Sequence, residues 1–215
     1  MWRRPSFLAG VVAVAAVAAI AATTAVLPVG EELPTDPSAA IEGKGADPVV
    51  WAEENYDAAI GLIEQDAVDW ATLIAAIVAD PEAAGVEYGQ REEGAKDFSY
   101  AVRVTGTLSE SDFGQLAIDA DGTPSGVRVG FQVGPAITGA AFRDATGLAT
   151  FGLFTNQTDY QKAGTELNNM IKERVLAGFD AEQALGKRYT ITGAFTWDPA
   201  KPQAVLTPVG IEETS

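Results

Sequence analysis

The chain has no cysteine and no histidine in 215 residues, few aromatics (8%), and only 14 Lys+Arg against 30 Asp+Glu. Each absence removes chemistry. Without sulfhydryls there are no disulfides and no thiolate metal ligands, and without imidazole the commonest proton shuttle is gone. A formal net charge of -16 opposes a phosphate-backbone partner, whose affinity depends on Lys and Arg displacing counterions. What remains suggests no catalytic residue, no metal, no cofactor and no nucleic-acid partner.

What is present is unevenly distributed. Pro5 to Gly30 carries no charged side chain, and Phe7 to Val29 is an Ala/Val run. Arg3 and Arg4 precede it and every acid follows it. That is the positive-inside pattern, which places the bulk of the chain outside the cytoplasm. Residues 1–29 have two readings. They are long enough to cross a ~30 Å hydrocarbon core at ~1.5 Å per residue, as a single membrane anchor. They also contain Ala19-Ile20-Ala21, an acceptable small-x-small site for signal peptidase, which would leave a secreted protein. Both readings export the domain.

Residues 30–48 read as an acidic Pro/Gly linker, because Pro34, Pro37 and Pro48 prevent a continuous helix and few apolar residues are available to pack. An extracytoplasmic domain is expected over 49–215. It begins with a helical hairpin at 49–90: Trp51, Ala59, Ile60 and Ile63 form one apolar stripe, and Trp70, Leu73, Ile74 and Ile77 form a second behind a plausible Asp69 cap. Asp80-Pro81 interrupts this region, and Gly85 and Gly89 mark its end.

From Phe98 the period changes to alternation. Phe98, Tyr100, Val102 and Val104 predict one strand, Leu116, Ile118 and Ala120 a second, and Val127, Val129, Phe131 and Val133 a third. A helix follows at 155–177, with Tyr160, Gly164, Leu167, Ile171 and Val175 on one face. Tyr189 to Trp197 and Val205 to Ile211 supply two more strands. Three strands, a helix and two strands is the element order of an OB-fold, so the expected class is α+β. A five-stranded OB-like β-barrel is placed over 97–215, with its helix between strands three and four.

Several segments resemble a known family. They are Gly134-Pro135-Ala136-Ile137-Thr138-Gly139-Ala140-Ala141-Phe142-Arg143-Asp144-Ala145, Phe154-Thr155-Asn156-Gln157 followed by Tyr160, Gly193-Ala194-Phe195-Thr196 and Thr207-Pro208-Val209. The family is the predicted periplasmic lipoproteins, domain of unknown function 2291, and the resemblance runs from about Ala25 to Ile211. It carries no established activity. It implies an accessory role beside sugar-uptake transporters, because family members resemble neighbours of such genes. One departure matters. Ala25-Val26-Leu27-Pro28-Val29-Gly30 matches the stretch that follows the family's lipobox Cys, which puts Thr24 at the lipidated position. A thioether lipid needs sulfur, so tethering here falls to the N-terminal helix.

The candidate ligand-binding residues are Arg143, Asp144, Thr155, Asn156 and Gln157. Thr155-Asn156-Gln157 is either a helix cap or a polar triplet at a helix N-terminus, where unpaired N–H groups favour anions or hydroxyls. Arg143 either pairs with Asp144 or Asp159, or aims its planar fork at a ligand carboxylate or sugar. Trp197, at a strand end, is either a sugar-stacking platform or core. Asp119-Ala120-Asp121-Gly122 hints at a calcium loop, but aligning Gly122 with the loop's sixth position puts Ala117 and Arg128 where acids are required. It reads as a hairpin turn. The expected function is therefore a membrane-tethered, non-enzymatic accessory or binding protein. Its partner would be an envelope or transporter protein, or a small solute. The alternative is a carboxylate-dependent enzyme on glycans or envelope material, which requires two carboxylates converging across a cleft.

Overall fold

Three aspartates start the first three helices among the described residues. Asp47 accepts from the Val49 and Val50 N–H groups at 2.9 and 3.1 Å and opens α1 (Pro48–Asp66), with Pro48 in the first turn where no N–H is needed. Asp69 caps α2 (Trp70–Ala79) through Ala71 and Thr72, and Asp80 caps α3 (Pro81–Tyr88) through Glu82 and Ala83. The computed structural model describes residues 45–214. The leader, Thr24 and most of the linker lie outside the described residues.

The two-residue strands β1 (Val68–Asp69) and β2 (Gly89–Gln90) flank the start of β3 (Ser99–Glu110). β4 (Gln115–Ala120) and β5 (Arg128–Gln132) follow. Next come α4 (Ala141–Ala145), α5 (Gln157–Arg174) and α6 (Ala181–Ala184), and then β6 (Arg188–Thr196) and β7 (Gln203–Glu213). The order β3-β4-β5-β7-β6 closes on itself, since β6 also pairs with β3. Every junction is antiparallel except β5–β7. This is the expected five-stranded barrel, with α5 between its third and fourth strands. β3 runs well past Val104, the last residue its alternation marked, because it serves two neighbours, pairing with β6 over Ser99–Thr107 and with β4 over Gly106–Glu110. Gly106 stands at the crossing, where a Cβ would strike the Asp119 carbonyl.

The interior is filled by the alternate residues that periodicity marked, Tyr100, Val102 and Val104 on β3 among them, joined by Leu108. Both barrel ends are sealed. α2 inserts Trp70, Leu73, Ile74 and Ile77 into this core, and the Trp70 indole donates to Thr123 Oγ1 at 2.8 Å in the β4–β5 turn. Phe179, between α5 and α6, packs on Phe131 and Tyr189 from the opposite end.

A second core lies outside the barrel. α1 and α5 bury Trp51, Tyr56, Ile63, Leu167 and Ile171 over an outer wall surfaced by Ala101, Ala194 and Val209. The small wall residues let the helices approach closely. Helices α1 and α2, expected as one hairpin, thus bury their apolar stripes in different cores. The extended turn at Ala67 and the pairing of Val68 with Val102 redirect the chain between them. Beyond α2 the helical run ends at Gly89, the C-cap of α3, as expected, whereas Gly85 lies inside α3, where the Phe98 ring occupies the space a Cβ would need.

Candidate functional site

The five residues singled out in the sequence gather near the N-terminus of α5, and all but the exposed Gln157 are held there by contacts internal to the fold. Arg143 is 5% exposed. Its Nε donates to Asp144 Oδ1 at 2.7 Å, its Nη2 lies 2.6 Å from the same oxygen, and its Nη1 donates to the Tyr160 carbonyl at 2.8 Å. The guanidinium carbon sits 3.6 Å from the centroid of the Tyr160 ring, and the Tyr160 hydroxyl donates to Asp144 Oδ1 at 3.3 Å. Arg143 packs against Gly164, one turn along α5. The arrangement fastens α4 to the first turns of α5. Burial, and then the Asp144 charge, push the Tyr160 phenol up to about 12, with Arg143 pulling the other way.

Asn156 is the cap of α5. Its Oδ1 accepts from the Asp159 N–H at 2.9 Å while its Nδ2 donates to Asp159 Oδ2 at 3.1 Å. Phe154 is buried against Trp51 and Tyr160. Thr155 lies against Gly45, and the Ala46 N–H donates to the Leu153 carbonyl at 2.8 Å, so this motif holds the incoming chain. Gln157 is exposed. Of the two readings weighed for each pair, the geometry uses the cap and the internal ion pair. Trp197, 6% exposed, belongs to the barrel core.

The concave surface lies elsewhere. A groove of about 570 Å³ follows the outer face of β4, β5 and β7. Its floor is Ala117, Gly130 and Val205, brought side by side by register: Ala117 opposite Gly130, and Gly130 opposite Val205. At Gly130 a Cβ would stand 2.5 Å from the Leu116 carbonyl oxygen, so the coiled sheet admits only glycine without shifting. One flank carries Asp119, Arg128 and Gln203, with Arg128 Nη2 donating to Gln203 Oε1 at 2.8 Å. On the other, Gln115 faces Gln132 across the β4–β5 pair. Gln132 is a strut: its amide donates to the Thr138 carbonyl at 3.0 Å and accepts from the Thr138 N–H at 2.8 Å. An adjoining hollow of about 370 Å³ shares Gln115, Gln203 and Val205 with the groove. Phe113, in the β3–β4 loop, also lines the groove; it is 95% exposed and has φ 62°.

Sequence reasoning passed over these residues. Alternation already put Arg128, Gly130 and Gln132 on an outward face, but which strands lie beside that face is a matter of register. Phe113 was visible as a lone large apolar residue in the polar run Ser109 to Gly114.

The closed barrel, the helix between its third and fourth strands and the groove on its second and third strands define an OB-fold protein. The sequence profile of the family described as Predicted periplasmic lipoprotein (DUF2291) matches residues 12–212, and the chain belongs to that family. It is similar to the crystal structure of an OB-fold protein from Thermotoga maritima, at 19% identity and a TM-score of 0.65, covering 80% of this chain and 100% of that one. That likeness bears on the fold. No curated protein matches the sequence. Among the described residues no helix is long and apolar enough to cross a membrane, and no group of three or more acids is placed to hold a metal ion. The expected anchor lies outside them.

Proposed function

We propose that this chain is a non-enzymatic binding module that works outside the cytoplasm, tethered by its N-terminal segment and serving carbohydrate uptake as an accessory protein. The observation that carries the binding reading is the groove on β4, β5 and β7. It is the face OB-folds commonly use for extended ligands, and it combines a floor of small side chains with polar flanks. Family membership supports the compartment, and the family's genomic company supports the accessory role. The tether falls to the apolar N-terminal segment because the chain has no cysteine to lipidate.

Affinity capture with the full chain from solubilised membranes tests the accessory role. Co-purification of a transporter subunit is expected, and recovery of no envelope protein would remove that role. One observation favours the enzyme reading: two acids, Asp112 and Asp119, line the same groove. Release of reducing ends from envelope glycans, lost in Asp119→Asn, would replace the binding module with a hydrolase.

A further inference from the structure

We infer that the groove takes a neutral carbohydrate chain laid across β4 and β5, with one sugar ring stacked on Phe113 and its neighbours' hydroxyls read by Gln115, Asp119, Arg128 and Gln203. The inference rests on the binding-module reading above and names its ligand class. Four features of the groove select that class.

The first is the balance of its hydrogen-bonding groups. A sugar hydroxyl both donates and accepts, and the flanks offer both functions: amides that do each, a carboxylate that accepts and a guanidinium that donates. Arg128 and Gln203 are already bonded to one another, which fixes the orientation of both before any ligand arrives.

The second is charge. Asp112 and Asp119 offset Arg128 within the groove, and the whole chain stands at -16. A polyanion finds no excess of positive charge to displace its counterions, which removes nucleic acids and anionic polysaccharides.

The third is closure of the barrel. β4 pairs on both sides, and β5 pairs with β4 and β7. A peptide adding as an extra strand needs an open edge, and the groove floor has none.

The fourth is Phe113. It lines the groove and is 95% exposed, so its ring is open to a ligand lying in the groove. The apolar C–H face of a pyranose ring fits flat against an aromatic face. The floor of Ala117, Gly130 and Val205 leaves the bed level enough for rings to lie along it.

The test is titration calorimetry on the full-length chain in neutral detergent. The neutral probes are maltohexaose, cellohexaose and chitohexaose, set against a heparin-derived hexasaccharide and a twelve-base oligothymidylate. At least one neutral hexasaccharide is expected to bind. Phe113→Ala should weaken it about tenfold or more, and Ala117→Trp, which fills the floor, should abolish it. Both positions point away from the barrel core, and unchanged far-ultraviolet circular dichroism will show that each variant is folded. If an anionic probe binds instead and Ala117→Trp abolishes it, the ligand class is wrong and the groove stands. If no probe shows binding sensitive to Ala117→Trp, the ligand class and the binding groove are both overturned.

Discussion

The Arg143 guanidinium carbon lies over the Tyr160 ring, 3.6 Å from its centroid, while Nη1 donates to the carbonyl of the same residue at 2.8 Å. Asp144 completes the triangle, receiving both Arg143 and the Tyr160 hydroxyl on one oxygen. Three groups that could each have met a ligand instead satisfy one another.

Arg143→Ala is therefore expected to destabilise the fold by about 2–4 kcal/mol, because it strips a buried charge from a partly exposed carboxylate and removes stacking from Tyr160. Urea unfolding measures this. Carbohydrate binding in the groove should be unchanged. A loss of binding with intact stability would return Arg143 to the recognition role.

The same triangle sets an alkaline limit. Burial first, and Asp144 second, raise the Tyr160 phenol to about 12; burial and Glu82 do the same for Tyr100. Both stand above the ordinary value of about 10 that holds in the unfolded chain. Their contribution is complete below pH ~10 and is lost as the pH rises to ~12, because the unfolded state gives up its phenolic protons first. Urea midpoints between pH 9 and 12 should fall more steeply in the wild type than in Tyr160→Phe. Equal slopes would contradict the assignment.

Asn156→Ala should cost about 1 kcal/mol, the usual value of a side-chain cap, and Asn156→Ser, which keeps a capping oxygen without setting a second carboxylate against Asp159, should recover most of it. Thermal unfolding separates the three proteins. If Asn156→Ser is no more stable than Asn156→Ala, capping is not what Asn156 does.

Gly130→Ala forces a methyl to within 2.5 Å of the Leu116 carbonyl, and backbone there cannot swing aside as a side chain would. A loss of about 1–3 kcal/mol is expected from the strain of separating β4 and β5. Amide exchange on β4 and β5 no faster in the variant than in the wild type would argue against it.

Much of the fold was legible in the chain because its signals are local. Strand alternation from Tyr100 to Val104 and from Tyr189 to Trp197, the 3- and 4-residue spacing from Tyr160 to Ile171, and the Asp69 cap each depend on neighbours a few residues away. The pairing of helices was not legible. The stripes of α1 and α2 look alike in sequence, and nothing local distinguishes a helix that plugs a barrel from one that lies on its outer wall. The candidate site failed to be legible for a related reason. Arg143 and Asn156 stood out for their residue types, whereas Ala117, Gly130 and Val205 matter through being plain.

By itself the sequence set the expectation of an exported domain, through two arginines before the apolar run and every acid after it. It also excluded lipid attachment through sulfur, and it set the order of strands and helix, because charge, composition and periodicity need no tertiary partner. Only the tertiary structure decided where a ligand could rest. Residues 117, 130 and 205 are far apart in sequence and meet through barrel closure and register, which are properties of the whole sheet and of no single segment.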